Sequence, residues 1–274
     1  GIIIAILIAM ILLGGIKRIG QVTEKLVPFM AAIYVILALG VVVLNFQNIP
    51  SVFGSIFEGA FSPASVTGGA VGSFFMSMKK GVSRGIFSNE AGLGTGSIAH
   101  ACADTKKPVK QGFFGIFEVF VDTIVICTMT GLTIVITGTW NTGLEGVAIT
   151  TAAFQKGLPF PPAVASLVLM VCLVFFAFTT ILGWNYYGER CIEYLFNRNK
   201  KVVKGYRWLY ILAIFIGPYM TVEAVWNIAD IFNALMAFPN LIALIALSPV
   251  VFAETKAFFG KQKAKVKSAE VQAN

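Results

Sequence analysis

Charge is what this chain has least of: only 12% of its 274 residues are charged, while 57% are hydrophobic. A soluble domain carries about a quarter charged residues, so the surplus apolar surface here calls for lipid. Long β-strand alternation is missing as well, which excludes a membrane β-barrel and leaves α-helices to satisfy the backbone. One histidine, His100, with no second His or paired Cys nearby, cannot by itself make a zinc site. Cys102, Cys127, Cys172 and Cys191 contain no Cys-x-x-Cys pair. They read as buried thiols, not a disulfide or metal framework. The chain opens Gly1-Ile2-Ile3-Ile4-Ala5 with no initiating Met, basic n-region or cleavage site, unlike a signal peptide. The expectation is a fragment that starts partway through a spanning helix of a longer polypeptide, leaving incomplete any site that needs upstream helices.

What is present is a series of apolar runs, several of them longer than the about 17 to 25 residues that cross a ~30 Å hydrocarbon layer. Seven candidate segments emerge: 1–15, 23–46, 66–101, 113–138, 162–187, 206–222 and 238–254. The formal net charge is +8, and the 21 basic residues fall mainly into alternate loops. Lys17, Arg18 and Lys25 follow the first segment, and Lys106, Lys107 and Lys110 the third. Arg190, Arg198, Lys200, Lys201, Lys204 and Arg207 follow the fifth, and Lys256, Lys261, Lys263, Lys265 and Lys267 the seventh. The positive-inside rule then puts these loops and the tail in the cytoplasm. The predicted organisation is a transmembrane domain over 1–254 and a basic cytoplasmic tail over 255–274, in a multi-pass cell-membrane protein, with the bacterial inner membrane as its expected home. The same rule makes Glu223 to Ala237 a short amphipathic helix on the outer face, ended by Pro239. The tail lysines should attract anionic lipid, and nucleic acid is not expected as a partner.

The third segment is too polar and glycine-rich for a regular lipid-facing helix, above all over Ser88-Asn89-Glu90-Ala91-Gly92-Leu93-Gly94-Thr95-Gly96-Ser97. Irregular backbone at membrane depth survives only where protein or a watery cavity satisfies it. A broken helix there offers amides to a substrate carboxylate and carbonyls and hydroxyls to Na⁺. The competing reading is a cytoplasmic loop capped at Ser88 or Asn89, which Lys79, Lys80 and Arg84 favour. Gly92-x-Gly94-x-Gly96 lacks the strand context of a nucleotide fingerprint.

Glu118 and Asp122, spaced i to i+4, share a helical face within the fourth segment. They read either as a cation site or as structural partners of Arg84 or a backbone donor. Thr123, Thr128, Thr130 and Thr133 read as bonding their own helix's preceding turn. In the fifth segment Thr180 and Trp184 share a face. Hydroxyls of Thr179 and Thr180 beside a free carbonyl suit Na⁺, and the indole could close over a small apolar side chain. Trp184, Tyr186 and Tyr187 also fit an interfacial aromatic belt above Arg190.

Several stretches together resemble the alanine or glycine:cation symporter family (sodium/alanine symporters). They are Lys17-Arg18-Ile19 with Val22 to Met30, Arg84 to Gly94 with Ile98-Ala99-His100, Phe178 to Trp184 with Tyr186 to Arg190, and Trp226 to Asp230 with Pro239-Asn240-Leu241. The resemblance runs from Gly14 to Glu254 and implies an all-α leucine-transporter-like fold with inverted repeats, of which this chain would be the C-terminal part. It implies a secondary symporter that couples Na⁺ or H⁺ entry to uptake of a small neutral amino acid, alanine or glycine, by alternating access. No organic cofactor is implied. It points to Phe87, Ser88, Asn89, Gly92, Thr180 and Trp184 as substrate-binding residues and to Thr179 and Thr180 as Na⁺ ligands. Another solute:cation symporter of the same fold, or a channel, is the alternative. An asymmetric series of unlike segments argues against a channel, and no nucleophile with an adjacent base argues against an enzyme.

Overall fold

A computed structural model describes residues 2–12, 15–61 and 70–273. Every regular element among them is helical: α1 Ile2–Leu12, α2 Gly15–Leu44, α3 Ile49–Phe61, α4 Ala70–Asn89 and α5 Thr95–His100. There follow α6 Pro108–Val119, a π-helical run Phe120–Cys127, α7 Thr128–Ile136, α8 Val147–Gly157, α9 Pro162–Leu195, α10 Lys200–Ile216 and α11 Val222–Ala273. Four stretches are long and apolar enough to cross a membrane: Thr23–Leu44, Pro108–Ile136, Pro162–Leu195 and Val222–Gly260. Val66 to Gly69, the start of the third predicted segment, lie outside the described residues.

The chain divides into two units, Gly1–Gly81 with Thr123–Val225, and Val82–Asp122 with Trp226–Asn274. In the first, α9 lies against α2, α8 and α10. The helix periodicity of α2 explains its placement. Met30, Tyr34, Ala38 and Val41 recur at intervals of four, four and three and are buried, whereas Phe29, Ile36 and Val43 are exposed on the other side. The buried stripe meets Phe154 and Leu158, and Ala165 and Leu169 of α9. A second cluster joins Ile8 of α1 to Phe178 and Leu182. Exposed apolar rows of this kind are surface that lipid covers.

Several polar groups inside the first unit are satisfied locally. Thr130 Oγ1 donates to the Ile126 carbonyl at 2.8 Å, so the 2.6 Å bond to Tyr34 is donated by the phenol. Asn45 Nδ2 donates to Val41 O and to Gly157 O, at 2.8 and 3.1 Å. Gly157 is buried, and a Cβ there would collide with Val41 Cγ1 and stand 3.1 Å from Thr137 Cγ2. Gly157→Ala is therefore expected to destabilise the protein by about 2 kcal/mol, the usual range for overpacking. A thermal melt of Gly157→Ala beside Gly157→Ala/Val41→Ala checks it. The second change should restore part of the loss, and equal melts of wild type and Gly157→Ala would refute the close approach.

Three expectations need correction. Lys17, Arg18 and Lys25 lie within α2, not in a loop: the run from Gly15 contains no proline before Pro28, and both Gly20 and Pro28 are accommodated inside the helix. Pro239 does not end a helix either. α11 continues through Pro239 and Pro249 and on through the lysine-rich stretch to Ala273. Pro239 withholds one amide from the Leu235 carbonyl, but the neighbouring i to i−4 bonds persist where no water competes for them. At 1.5 Å per residue Val222–Gly260 is about 58 Å long, well beyond one ~30 Å hydrocarbon layer. Finally, only Cys172 is buried; Cys102, Cys127 and Cys191 are exposed, because hydrophobic surroundings in the sequence include the faces a helix turns outward.

Candidate functional site

In the second unit the helix α4 stops at Asn89 and helical structure resumes at Thr95. Between them Glu90, Gly92 and Gly94 have φ of 55°, 88° and 89°, left-handed values that glycine adopts without strain. Asn89 Oδ1 accepts from the Ala91 amide at 3.0 Å, and the Leu93 amide donates to Glu90 O at 3.1 Å. The turn is also held from α11: Asn240 Nδ2 donates to Gly92 O at 2.9 Å. A Cβ at Gly94 would stand 3.0 Å from Asn240 Oδ1, so the absence of a side chain there lets the amide approach.

Four of the candidate residues, Phe87, Ser88, Asn89 and Gly92, fall at this helix end. The Phe87 ring packs edge-on against Trp226, with centroids 5.4 Å apart. The Ser88 hydroxyl lies 2.8 and 3.0 Å from the two carboxylate oxygens of Asp122, which sits in the π-helical run. Such runs in α-helices are frequent at functional sites.

Arg84 does not partner Glu118 or Asp122. Its guanidinium takes Asp230 of α11, at 2.7 and 3.3 Å, and stacks 3.8 Å above the Trp226 ring, while Ser83 donates to the same carboxylate at 3.2 Å. Glu118 instead faces His100 Nε2 at 3.3 Å, and Gln111 Nε2 meets His100 Nδ1 at 2.8 Å. Gly115 makes room for the ring, since a Cβ there would be 3.1 Å from Nε2.

The remaining candidates belong to the first unit, all on α9. Thr179 is buried, and its hydroxyl donates back to Phe175 O and Phe176 O at 3.0 and 3.1 Å, so only its oxygen lone pairs remain for a cation. Thr180 is exposed, and Trp184 stands edge-on to Tyr187 at 5.8 Å. The free carbonyl expected beside the threonine pair is not there: α9 runs unbroken from Pro162 to Leu195, so these carbonyls serve the helix ladder.

Three residues escaped the sequence reading. Asn240 and Asp230, which pin the turn and Arg84, carry no sequence signal beyond their place in family-like stretches. Asn185 is fully buried with neither amide atom hydrogen-bonded among the described residues. Its signal was faint, an amide one residue beyond Trp184 in an otherwise apolar and aromatic run.

Several apolar spanning helices, one helix broken at left-handed glycines, and acids placed inside apolar segments define a multi-pass helical membrane protein of the transporter class. The chain belongs to the Sodium:alanine symporter family, which matches residues 1–273. That is a family of transporters, not of enzymes. It is 47% identical over 264 residues to an uncharacterized transporter of Haemophilus influenzae, covering 96% of this chain and 57% of that protein. It is 43% identical over 273 residues to the sodium/alanine symporter AgcS of Methanococcus maripaludis, covering 98% and 58% respectively. Against the sodium/proton-dependent alanine carrier protein of Bacillus sp. strain PS3 the identity is 33% over 261 residues, covering 90% and 58%. The chain thus spans somewhat over half the length of these curated relatives.

Proposed function

We propose that the whole protein to which this chain belongs is a secondary active symporter with a leucine-transporter-like fold of inverted repeats. It couples Na⁺ entry, with H⁺ as the alternative ion, to uptake of alanine or glycine by alternating access. The observation that carries this reading is the interruption between Asn89 and Thr95, a break in a glycine-rich segment of a transporter-family chain. A broken helix exposes amides and carbonyls that a small zwitterion and a cation can use. In this reading Phe87, Ser88, Asn89 and Gly92 at the break, and Thr180 and Trp184 on α9, are the substrate-binding candidates, and Thr179 and Thr180 are the candidate Na⁺ ligands. Two relatives support the ion and solute: one is named for sodium and alanine, the other for sodium or proton and alanine. In this reading the basic clusters after the third and fifth predicted segments and near the C-terminus face the cytoplasm, and the expected home is a bacterial inner membrane.

The test is radiolabelled alanine uptake into liposomes by the whole protein, with and without an inward Na⁺ gradient. Uptake should require the gradient, and Thr180→Val and Trp184→Ala should each lower it at least about tenfold, the order expected when one oriented contact of about 1.4 kcal/mol is lost. Uptake indifferent to both Na⁺ and pH gradients would refute the symport reading. Undiminished uptake by both variants would refute the site while leaving symport intact.

A further inference from the structure

The first unit contains a cavity of 430 Å³ beside the end of α9 and the first turns of α10. Four cationic side chains line it, Arg198, Lys200, Lys204 and Arg207, against one carboxylate, Glu193. Glu193 is engaged by Arg190 at 2.7 Å, and Arg207 by Glu189 at 2.7 Å. Among the described residues no carboxylate lies within ion-pair distance of Arg198, Lys200 or Lys204. Three positive charges therefore face one cavity without an ion-pair partner among the described residues.

The rest of its wall is apolar, formed by Val203, Trp208 and Ile211. From there α10 continues with an exposed row, Trp208, Leu212 and Phe215, spaced i, i+4, i+7 and so on one helical face. A small soluble anion would satisfy the cations and leave this row bare. A phospholipid satisfies both, with its phosphate on the cations and an acyl chain along the row. A tryptophan at the junction of charge and hydrocarbon suits the headgroup level, and basic pockets between membrane helices take anionic headgroups.

We infer that this cavity is a binding site for an anionic phospholipid, its phosphate held by Arg198, Lys200 and Lys204 and an acyl chain lying against Trp208, Leu212 and Phe215. None of the lysines from Lys256 to Lys267 is among the residues that line it, and the inference stands independently of the transported solute.

The whole protein, purified in detergent, is titrated by native mass spectrometry with phosphatidylglycerol, with phosphatidylcholine and with inorganic phosphate. Phosphatidylglycerol should bind about tenfold or more better than phosphatidylcholine, because each basic residue near an anionic surface contributes on the order of fivefold. Arg198→Gln/Lys200→Gln/Lys204→Gln should lose that preference and Trp208→Ala should weaken it. Replacing Lys256, Lys261 and Lys263 with Gln should leave it in place. None of the three cavity cations has an ion-pair partner to lose among the described residues, so the triple variant should melt like the wild type. Should it fail to fold, Lys204→Glu alone and the salt dependence of the wild type read the same charge effect. Equal binding of both lipids, an undiminished preference in the charge variants, or displacement of phosphatidylglycerol by millimolar phosphate would each overturn the inference, the last by assigning the cavity to a soluble anion.

Discussion

Replacing Glu189 with leucine is expected to destabilise the protein by about 3 kcal/mol, since removing one partner of a buried ion pair leaves charges without compensation. The Glu189 carboxylate is only 9% exposed and holds Arg207 in a two-point fork, Nε to Oε2 at 2.8 Å and Nη2 to Oε1 at 2.7 Å. Arg190 adds a third bond at 3.2 Å. Together these tie the end of α9 to the start of α10. The ladder is tight at this level, because any side chain at Gly188 would run into the Tyr206 ring and hydroxyl. The two arginines keep about a quarter and a third of their exposure, so water reclaims part of the loss, and the low end of the ~3–5 kcal/mol range applies. Removing both charges in Glu189→Leu/Arg207→Met should recover most of the stability, because matched apolar replacements avoid the orphaned charge. Thermal melts of the single and double variants in detergent decide this, and a double variant no better than the single would sink the ion-pair explanation.

Arg84→Ala should be the second largest loss, about 2 kcal/mol, combining a two-point charge-assisted contact with a cation–π stack of about 1 kcal/mol. Arg84 and Asp230 are each about a third exposed, which limits the ionic share. The stack on Trp226 is what makes the position specific to arginine. Lysine retains the charge but lacks the planar group that forks to a carboxylate and lies flat on an indole. Arg84→Lys is therefore expected to keep less than half of the contribution. Arg84 stands on α4 five residues before Asn89, so loosening it frees the helix that leads into the break. Amide hydrogen exchange over residues 82–94 should accelerate in Arg84→Ala. Unchanged exchange there would show that Asn240 and the turn's own bonds hold the break without the arginine.

The helical, lipid-facing character of the chain was legible because it needs only composition and run length. Few charges and long apolar stretches leave no other way to satisfy the backbone. Family membership was legible because several separate stretches, from Lys17 to Leu241, carry it together. Helix ends were less legible. Pro239 read as a helix end, yet it sits inside a helix, as Pro28 and Pro249 do, since one missing amide does not outweigh the bonds on either side in surroundings without water. Partners were the least legible. The sequence offered Glu118 and Asp122 as partners of Arg84, whereas the guanidinium takes Asp230, 146 residues away.

Sequence by itself determined the class: an apolar, helical membrane protein of the Sodium:alanine symporter family, with glycine and polar residues gathered over Ser88 to Ser97. Those properties are sums over residues or local backbone preferences, and they do not depend on what lies opposite. Tertiary structure alone decided that Asp230 and Trp226 receive Arg84, that Asn240 pins Gly92, that Thr179 spends its proton on its own helix, and that three cations of one cavity have no ion-pair partner among the described residues. Hydrogen bonds and ion pairs act over about 3 Å, a distance that the order of residues along a chain does not encode until its helices have packed.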